Sequence, residues 1–440
     1  MERERSATTV LLGLSGFVLL AVSEYDGELE QAVETTADLV GCPGCGAVAT
    51  PHARRPVRVR DLPSAGRPVT LIWFKRIWRC PHSQCAVVTW SETSEAIAPR
   101  ASLTQRARAR AALRVGRDGE SVAAVARDFG VGWGTIMAAV RDHGQPLLDD
   151  PNRLEGVRAV GVDETAFTAA TATSPTGFVT GIVDLTHRPG GVARLLDVVE
   201  DRSAAALSCW IAQREPGWRA AVVAASLDPY RGYAAALRSG LPGAVRVLDA
   251  FHVTRLGFAA VDEVRRRIQQ ELTGHRGRRD DPLYRIRRLL RRGYDHHSPR
   301  SWARLLAGLD AGDTRDEQLA KTWIAAQELR LLYRSGDRAR AQAHLYAWLT
   351  HCADAGVPEL ERLARTIDSW RTELLAYFDT DRISNGPTEA INLVIKKIKR
   401  VGHGFRNFDN YRLRLLLYCG VEWNTPTATP IRGRLPRFIA

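Results

Sequence analysis

Three short apolar segments in the middle of the chain restrict its fold more than any other feature, because each ends in an aspartate that a turn follows. They are residues 157–163, 221–228 and 245–249, which end in Asp163, Asp228 and Asp249. If these segments are parallel strands, the three aspartates project at one edge of the sheet, the edge where α/β proteins place their sites. The sequence therefore predicts a largely parallel sheet with an acidic edge.

The segments between the three strands predict the order in which the strands lie. Residues 177–185 and 192–199 have the pattern of a hairpin, and residues 202–213 have that of a helix. The order strand-strand-strand-helix-strand-helix-strand is that of a ribonuclease-H-like fold, in which the first and fourth strands are neighbours about 4.8 Å apart. Asp163 and Asp228 are then close enough to bridge one cation, whereas Asp249 lies one strand further away.

A helix near the C-terminus is predicted to bring a further carboxylate to this edge. It lies within residues 384–400 (SNGPTEAINLVIKKIKR), and Pro387 suits its first turn. At about 100° per residue, Glu389, Asn392 and Lys396 share one face, and Asn385 lies in line just before the helix. The aliphatic residues fall largely on the opposite face, which we expect to pack on the sheet. The basic residues at its end are placed for phosphates, and they are Lys396, Lys397, Lys399 and Arg400.

Several carboxylates at one edge favour a site for magnesium, which prefers hard oxygen ligands. Two divalent ions about 3.5–4 Å apart, Mg²⁺ or Mn²⁺, can activate the attacking water or 3′-hydroxyl of a phosphodiester reaction and stabilise the leaving oxygen. Each acid also has a simpler interpretation. Asp228 could cap the helix that follows it, and Glu389 could serve only the dipole of its own helix.

Two pairs of cysteines near the N-terminus predict a structural zinc site. Cys42 and Cys45 are separated by two residues, and Cys80 and Cys85 by four, which suits a tetrahedral site of four thiolates. Residues 69–79 between the pairs predict a strand that leads into the second pair, as in a zinc ribbon. His52 and His82 could replace a cysteine as ligands, but four cysteines are the simpler set. The three other cysteines are isolated in apolar helical patterns, which predicts core packing for Cys209, Cys352 and Cys419.

Residues 121–140 predict a helix-turn-helix. Ser121 can cap the first helix, and Gly130 permits a left-handed residue at the turn. The second helix begins near Trp133 and would lie in the major groove of DNA. Candidates for base or backbone contacts are therefore Trp133, Thr135 and Arg141. Five arginines in residues 105–117 suit phosphate contacts, although an ordinary pair of packed helices has the same pattern.

The charge balance favours a polyanionic partner. The 440 residues contain 62 Lys and Arg against 49 Asp and Glu, a net charge of +13, and basic groups gain affinity for phosphate backbones by releasing counterions. Charge alone does not separate DNA from RNA or an acidic membrane surface. The apolar stretch 10–22 is shorter than the ~20 residues that span a bilayer, and we interpret it as a strand or hairpin. The cysteine usage indicates a reducing compartment, so we expect a cytoplasmic protein.

Four segments resemble bacterial insertion-sequence transposases of the DDE type, above all those of the ISL3 family. They are residues 160–167 (VGVDETAF), 248–253 (LDAFHV), 384–392 (SNGPTEAIN) and 398–414 (IKRVGHGFRNFDNYRLR). The last two together form the most specific part of the resemblance, which covers nearly the whole chain. It implies a bacterial protein associated with the nucleoid.

The resemblance carries a catalytic, magnesium-binding triad onto Asp163, Asp228 and Glu389. Asp249 and His252 resemble an Asp-x-x-His element to which we assign a supporting role, as we do to Asn385 and Asn392. A buried, hydrogen-bonded His252 without a catalytic part is the other interpretation. Whether Asp228 or Asp249 is the second metal ligand is decided here by adjacency to Asp163, which favours Asp228. Arg406 joins the candidates for DNA contacts.

The expected architecture is multidomain α+β, with a ribonuclease-H-like core split by an all-helical insertion. The early part of that insertion, residues 255–300, contains 13 Arg against 6 acids. This suits DNA binding, and a solvated helix face is the alternative for any one arginine. The predicted domains are a zinc ribbon (1–96), a helix-turn-helix (97–150), the first part of the core (151–254), the insertion (255–380), the last core helix (381–424) and a tail (425–440).

The resulting hypothesis is a DNA transposase that binds the terminal inverted repeats of its own element, cuts a strand and joins the freed 3′-hydroxyl to target DNA. Two ends must be brought together, so we expect a homodimer in the active complex. The alternatives are a DNA-binding regulator with a degenerate core and a ribonuclease-H-like nuclease that cuts without joining.

Overall fold

The computed structural model describes residues 11–173, 175–187, 193–312 and 317–423. The chain forms two compact units. The first contains Met1–Arg153 with Lys397–Ala440, and the second contains Leu154–Lys396. The predicted tail at 425–440 lies outside the described residues. Within those residues, no helix has both the length and the apolar character that a membrane crossing requires.

The N-terminal part of the first unit is a five-stranded sheet. Its strands are β1 (Phe17–Tyr25), β2 (Glu28–Thr35), β3 (Thr50–Ser64), β4 (Arg67–Arg79) and β5 (Thr89–Ser91). The order is β1-β2-β4-β3, with β5 paired to β4. Asp26 and Gly27, both at positive φ, form the tight turn of the β1–β2 hairpin. The strand or hairpin predicted for residues 10–22 is confirmed from Phe17 onward, because β1 pairs antiparallel with β2. Phe17, Val33 and Trp73 are buried in the core of this sheet.

Three helices follow the sheet: α1 (Gln105–Gly116), α2 (Val122–Phe129) and α3 (Trp133–Asp149). The Ser121 side chain accepts a hydrogen bond from the Ala124 N–H, and Gly130 ends α2 in the left-handed conformation at φ 63°. Val125, Phe129 and Ile136 are fully buried between the helices. The cap, the turn and the start of the second helix at Trp133 are therefore confirmed.

The second unit is built on a five-stranded sheet. Its strands are β6 (Ala159–Thr168), β7 (Gly177–Asp184), β8 (Arg194–Glu200), β9 (Ala224–Leu227) and β10 (Val245–Leu248), in the order β10-β9-β6-β7-β8. β6 lies beside β9 in parallel, which confirms that the first and fourth strands of this sheet are neighbours. β10 lies one strand further away, also in parallel with β9.

The register of this sheet places the three aspartates on one level. Val162 pairs with Leu227, and Leu227 pairs with Leu248, so Asp163, Asp228 and Asp249 are each the next residue after that row. The prediction that Asp163 ends its strand is wrong. β6 continues to Thr168 because its other neighbour, β7, pairs with it antiparallel beyond the point where β9 stops. Asp163 nevertheless lies where the parallel part of the sheet ends.

Helices make up the rest of the second unit. Near the sheet are α4 (Ala204–Ala212), α5 (Pro216–Ala221) and α6 (Arg231–Gly240), followed by the long α7 (Ala250–Thr273). The described parts of residues 255–380 contain no strand. Their other helices are α8 (Pro282–Ile286), α9 (Pro299–Gly312), α10 (Gln318–Leu332), α11 (Arg338–Asp354), α12 (Pro358–Asp368) and α13 (Arg371–Leu375), with 3₁₀ turns at Tyr294–His296 and Ala376–Asp379.

The last two helices are α14 (Gly386–Val401) and α15 (Phe408–Cys419), and α15 has a place that the sequence analysis did not predict. We assigned it to the last core segment. In the structure, Leu413 and Leu417 of α15 are buried in the same core as α1, α2 and α3 of the first unit. The contact is close because α3 has a glycine there: a Cβ on Gly144 would lie 2.6 Å from Leu417 Cδ1.

The substitution Gly144→Val is therefore expected to destabilise the first unit by about 1–3 kcal/mol, since the added side chain overpacks a buried site. Thermal unfolding of the full chain measures the effect as a lower transition midpoint. The matched control is Gly134→Val in the same helix, where an added Cβ meets nothing within 4 Å. Equal midpoints for the two variants would contradict the packing of α15 on α3.

Candidate functional site

A buried histidine links two of the three aspartates at the edge of the second sheet. His252 lies in the first turn of α7, which Asp249 caps by accepting from the His252 N–H. The His252 Nε2 atom lies 2.9 Å from Asp228 Oδ2, and its Nδ1 atom lies 2.9 Å from Asp249 Oδ2. The three side chains are at most 8% exposed. Asp228 and Asp249, the residues that follow β9 and β10, are thus held at fixed positions by one imidazole ring.

The hydrogen bonds of His252 favour its protonated form. Burial by itself lowers the pKa of His252, but the hydrogen bonds to Asp228 and Asp249 outweigh it and raise the pKa to about 10. Burial likewise raises the pKa of Asp249, yet hydrogen bonds from the His252 ring and the Asn385 N–H bring it below its usual value. The ring therefore donates from both nitrogens, and Asp249 is ionised.

The residues before α14 fasten its first turn to the sheet. The Asn385 N–H donates to Asp249 Oδ1 at 2.9 Å, and the Asn385 side chain donates to the Val162 carbonyl at 3.2 Å. Thr388 Oγ1 donates to Asn385 Oδ1 at 3.2 Å. This approach needs Gly161 in β6, because a Cβ there would collide with the side chains of Thr388 and Asn385. Asn385 is fully buried, and its two hydrogen bonds fix the start of α14 against β6 and against Asp249, the residue after β10.

Asn392 connects the next turn of α14 to the first aspartate. Its Nδ2 atom donates to Asp163 Oδ2 at 2.5 Å, and its Oδ1 atom accepts from Thr165 Oγ1 at 2.9 Å. Ile391 and Ile395 are buried, as predicted for the aliphatic face of this helix. The sequence analysis missed Thr165 and Thr388. The two-residue period of a strand, which places Thr165 on the same face as Asp163, was the signal that could have found the first of them.

The four acids and His252 form two overlapping groups of possible metal ligands. Asp163, Asp228 and His252 offer ligand atoms within 4.8 Å of one another, and so do Asp249, His252 and Glu389. The structure thus brings Asp163 and Asp228 together, as the strand order predicted. Glu389 belongs to the group that contains Asp249, and the two groups share His252. The part that each residue plays in a reaction stays a prediction.

The electrostatics of this edge fit a bound cation. Burial, followed by the neighbouring charge of Asp228, raises the pKa of Asp163 to about 7. Burial and the charge of Asp249 also raise the pKa of Glu389. Asp228 Oδ1 is buried and has no hydrogen-bond partner among the described residues. A buried carboxylate oxygen without a donor is costly unless a cation neutralises it, and carboxylates are the ligands that magnesium prefers.

The four predicted zinc ligands also meet. Ligand atoms of Cys42, Cys45, Cys80 and Cys85 lie within 4.8 Å of one another, with Sγ–Sγ distances of 3.7 Å for Cys42–Cys85 and 3.5 Å for Cys45–Cys80. Although burial opposes it, the N–H groups of Gly44 and Cys45 lower the pKa of Cys42 to about 7. This set fits a structural zinc ion. Neither histidine that we considered as a substitute belongs to the group.

The predicted DNA-contact residues differ in how available they are. Trp133 is 49% exposed at the start of α3. Arg141 donates to Asn410 Oδ1 at 2.9 Å, and Lys397 donates to the Tyr418 hydroxyl at 2.7 Å. Both cations thus already have partners in the protein. The remaining candidates are half-buried (Thr135, Lys399) or exposed (Lys396, Arg400, Arg406).

Most of the five arginines in residues 105–117 form ion pairs that the sequence analysis did not predict. Four of the five form ion pairs: Arg106 with Asp61, Arg108 with Asp142, Arg114 with Glu120 and Asp128, and Arg117 with Asp118. The same holds for part of the basic segment 255–300, where Arg265 forms a buried pair with Asp262. The prediction of core packing is wrong for Cys209, which is exposed, whereas Cys352 is buried.

Comparisons with known proteins agree with this organisation. A transposase profile of the ISL3 DDE type matches residues 160–415, more than half of the chain. A profile described as the zinc-finger of transposase IS204/IS1001/IS1096/IS1165 matches residues 38–85. The helix-turn-helix domain of transposase family ISL3 matches residues 92–144.

No curated protein matches the chain. Among solved structures, a chain of the Drosophila P element transposase strand transfer complex matches with a TM-score of 0.34 and 11% sequence identity, over 72% of this chain and 92% of that chain.

Proposed function

The chain belongs to the ISL3 family of transposases, and from this premise we propose how it acts. It binds the terminal inverted repeats of its own element through the zinc ribbon and the helix-turn-helix. It then catalyses metal-dependent strand cleavage and transfers the freed 3′-end to target DNA. The proposed catalytic residues and Mg²⁺ ligands are Asp163, Asp228 and Glu389.

One observation carries this proposal. Acids from three separate elements, β6, β9 and α14, surround the same buried histidine at one edge of a sheet. When bound there, divalent ions activate the attacking water or 3′-hydroxyl and stabilise the charge on the leaving oxygen. The raised pKa of Asp163 and the unpartnered Asp228 Oδ1 both support a cation at this edge.

The hydrogen bonds support Asp228 as the second ligand in preference to Asp249. Asp249 has both carboxylate oxygens engaged, since Oδ1 accepts from the Asn385 N–H and Oδ2 accepts from His252. Asp228 has only Oδ2 engaged, by His252, which leaves Oδ1 for a cation. We therefore assign positioning roles to Asp249 and His252. Asn392 has a positioning role for Asp163, because it donates to Asp163 Oδ2 while the Glu164 N–H donates to Asp163 Oδ1.

The architecture that we propose is a ribonuclease-H-like core with a helical insertion between β10 and α14. The sheet order β10-β9-β6-β7-β8, with β7 and β8 as an antiparallel hairpin, supports it. We further propose that Trp133 and Thr135 face the major groove and that Lys396, Arg400 and Arg406 contact phosphates. Two element ends must be joined in one reaction, so the active complex contains at least two copies of the chain.

The test is a cleavage and joining assay with the full chain, a duplex that contains the element end, and Mg²⁺. We expect cut and joined products from the wild type and neither product from Asp228→Asn, with unchanged DNA binding. Asp310→Asn is the matched control, since Asp310 is exposed on α9 and belongs to neither group of possible metal ligands. Binding without cutting by the wild type would instead indicate a regulator, and cutting without joining would indicate a nuclease.

A further inference from the structure

A cavity of about 290 Å³ lies within the first unit, between the helix-turn-helix and the turn that follows α14. Ser121 and Val122 at the start of α2 and Trp133 at the start of α3 line one side. The other side is formed by residues 401–407, including Arg406, and by Arg414 of α15. None of the residues that line the cavity is acidic. The cavity is therefore positively charged overall.

Arg414 is a buried cation without a counter-charge. Arg414 is only 3% exposed, and its Nη2 atom donates a hydrogen bond to the Glu120 carbonyl at 2.9 Å. The guanidinium also lies over the Phe405 ring, 5.4 Å from its centroid. Among the described residues its Nε atom has no hydrogen-bond partner, and no carboxylate forms an ion pair with it. Burial lowers the pKa of Arg414 to about 10, so it stays charged at neutral pH. An anion in the cavity would compensate this charge.

The start of α2 adds a second attraction for an anion on the same side of the cavity. The Ser121 side chain satisfies only the Ala124 N–H, which leaves the N–H groups of Val122 and Ala123 without an intrahelical acceptor. The first turn of this eight-residue helix contains no acidic residue. Helix N-termini bind phosphates because their N–H groups and the helix dipole point at the ligand.

We propose that this cavity holds one backbone phosphate of the bound DNA, and this inference rests on the proposed function. Arg414 and the N-terminus of α2 hold the phosphate from within, and Arg406 contacts it from the rim. Trp133 lies against the adjoining sugar. The turn 402–407 is thereby part of the DNA-binding surface of the helix-turn-helix, although it lies more than 250 residues away in the sequence.

The test measures duplex binding by the full chain over a series of salt concentrations. Loss of one phosphate contact lowers the slope of log K against log salt by about 0.9 and weakens binding roughly 3- to 10-fold near 0.1 M salt. We expect this change for Arg406→Gln, with equal effects on an end-containing and a scrambled duplex, because a phosphate contact carries no sequence information. Arg365→Gln, which removes a well-exposed arginine of α12, is the matched control and is expected to bind like the wild type.

A second measurement identifies which phosphate of the duplex the cavity holds. Single phosphates of the duplex are replaced one at a time by uncharged methylphosphonates. Replacement at one position should weaken duplex binding by the wild type. The same replacement should weaken binding by Arg406→Gln little further, because that variant has already lost the contact. The proposal is overturned if no position shows this coupling, or if Arg406→Gln keeps the wild-type slope.

Two further outcomes separate this inference from related ones. If inorganic phosphate raises the melting temperature of the wild type but Arg406→Gln binds duplex normally, the cavity takes a free anion and the DNA assignment is wrong. Because the readout is binding, it does not depend on catalysis. A wild type that binds through this cavity but never cuts contradicts only the proposed catalysis. A chain that cuts normally with Arg406→Gln unaffected contradicts this inference and the phosphate contact proposed for Arg406, but not the proposed catalytic site.

Discussion

Asp163→Asn is expected to lower strand cleavage by about 10³-fold or more, because loss of a charged metal ligand removes several kcal/mol of transition-state stabilisation. The substitution is nearly isosteric, and an asparagine oxygen can still accept the hydrogen bond from Asn392. The fold at this edge is therefore expected to survive. Gel assays of cleavage under single-turnover conditions measure the loss, and anisotropy measures the unchanged DNA affinity.

The same substitution should stabilise the metal-free protein above neutral pH. Because the pKa of Asp163 is about 7 in the folded protein against an ordinary 3.8, the folded state binds the proton more tightly. The stability contributed by the protonated form is full below pH 4 and is lost as the pH rises through 7. Asparagine does not ionise, so the variant avoids this loss of stability, which amounts to up to about 4 kcal/mol at pH 8.

Unfolding in the presence of a chelator, at pH 5 and pH 8, measures this difference, and added Mg²⁺ supplies a second readout. The wild type should gain thermal stability from Mg²⁺ because the ion binds only the folded state, whereas Asp163→Asn should gain little. Asp310→Asn again serves as the control and should follow the wild type. Equal cleavage by Asp163→Asn and the wild type would exclude Asp163 from the catalytic site.

Cys80→Ser is expected to release zinc and unfold the two cysteine knuckles. Zinc contributes on the order of 10 kcal/mol to the folding of isolated zinc-finger peptides, and the knuckles have few buried apolar side chains of their own. The sheet beside them should persist, since Val33, Leu71 and Trp73 form a core that does not depend on the metal. We expect zinc content to fall to near zero by mass spectrometry and proteolysis to increase near residues 42–48 and 80–88.

Cys209→Ser is the matched control for this prediction, because Cys209 is exposed and lies in the second unit. It should keep both the zinc and the protease resistance of the wild type. If Cys80→Ser retained zinc with full occupancy, the four-thiolate site would be wrong. Weaker DNA binding by Cys80→Ser alone would indicate that the zinc ribbon contributes to the DNA interface.

Local patterns determined much of this protein before any packing was considered. The apolar runs before Asp163, Asp228 and Asp249 have the period and length of buried strands, and the hairpin between the first two determines which strands become neighbours. The cap at Ser121, the left-handed Gly130 and the cysteine spacings are likewise local requirements of backbone geometry and metal coordination.

Tertiary structure alone decided which partner each side chain obtained. Asp228 and Asp249 look alike in the sequence, and they differ only because the Asn385 N–H, 136 residues from Asp249, occupies the second oxygen of Asp249. The ion pairs of the arginines in residues 105–117 and the packing of α15 were not predicted for the same reason. A residue's charge or hydrophobicity is written in the sequence, whereas the residue that satisfies it depends on which distant elements fold against one another.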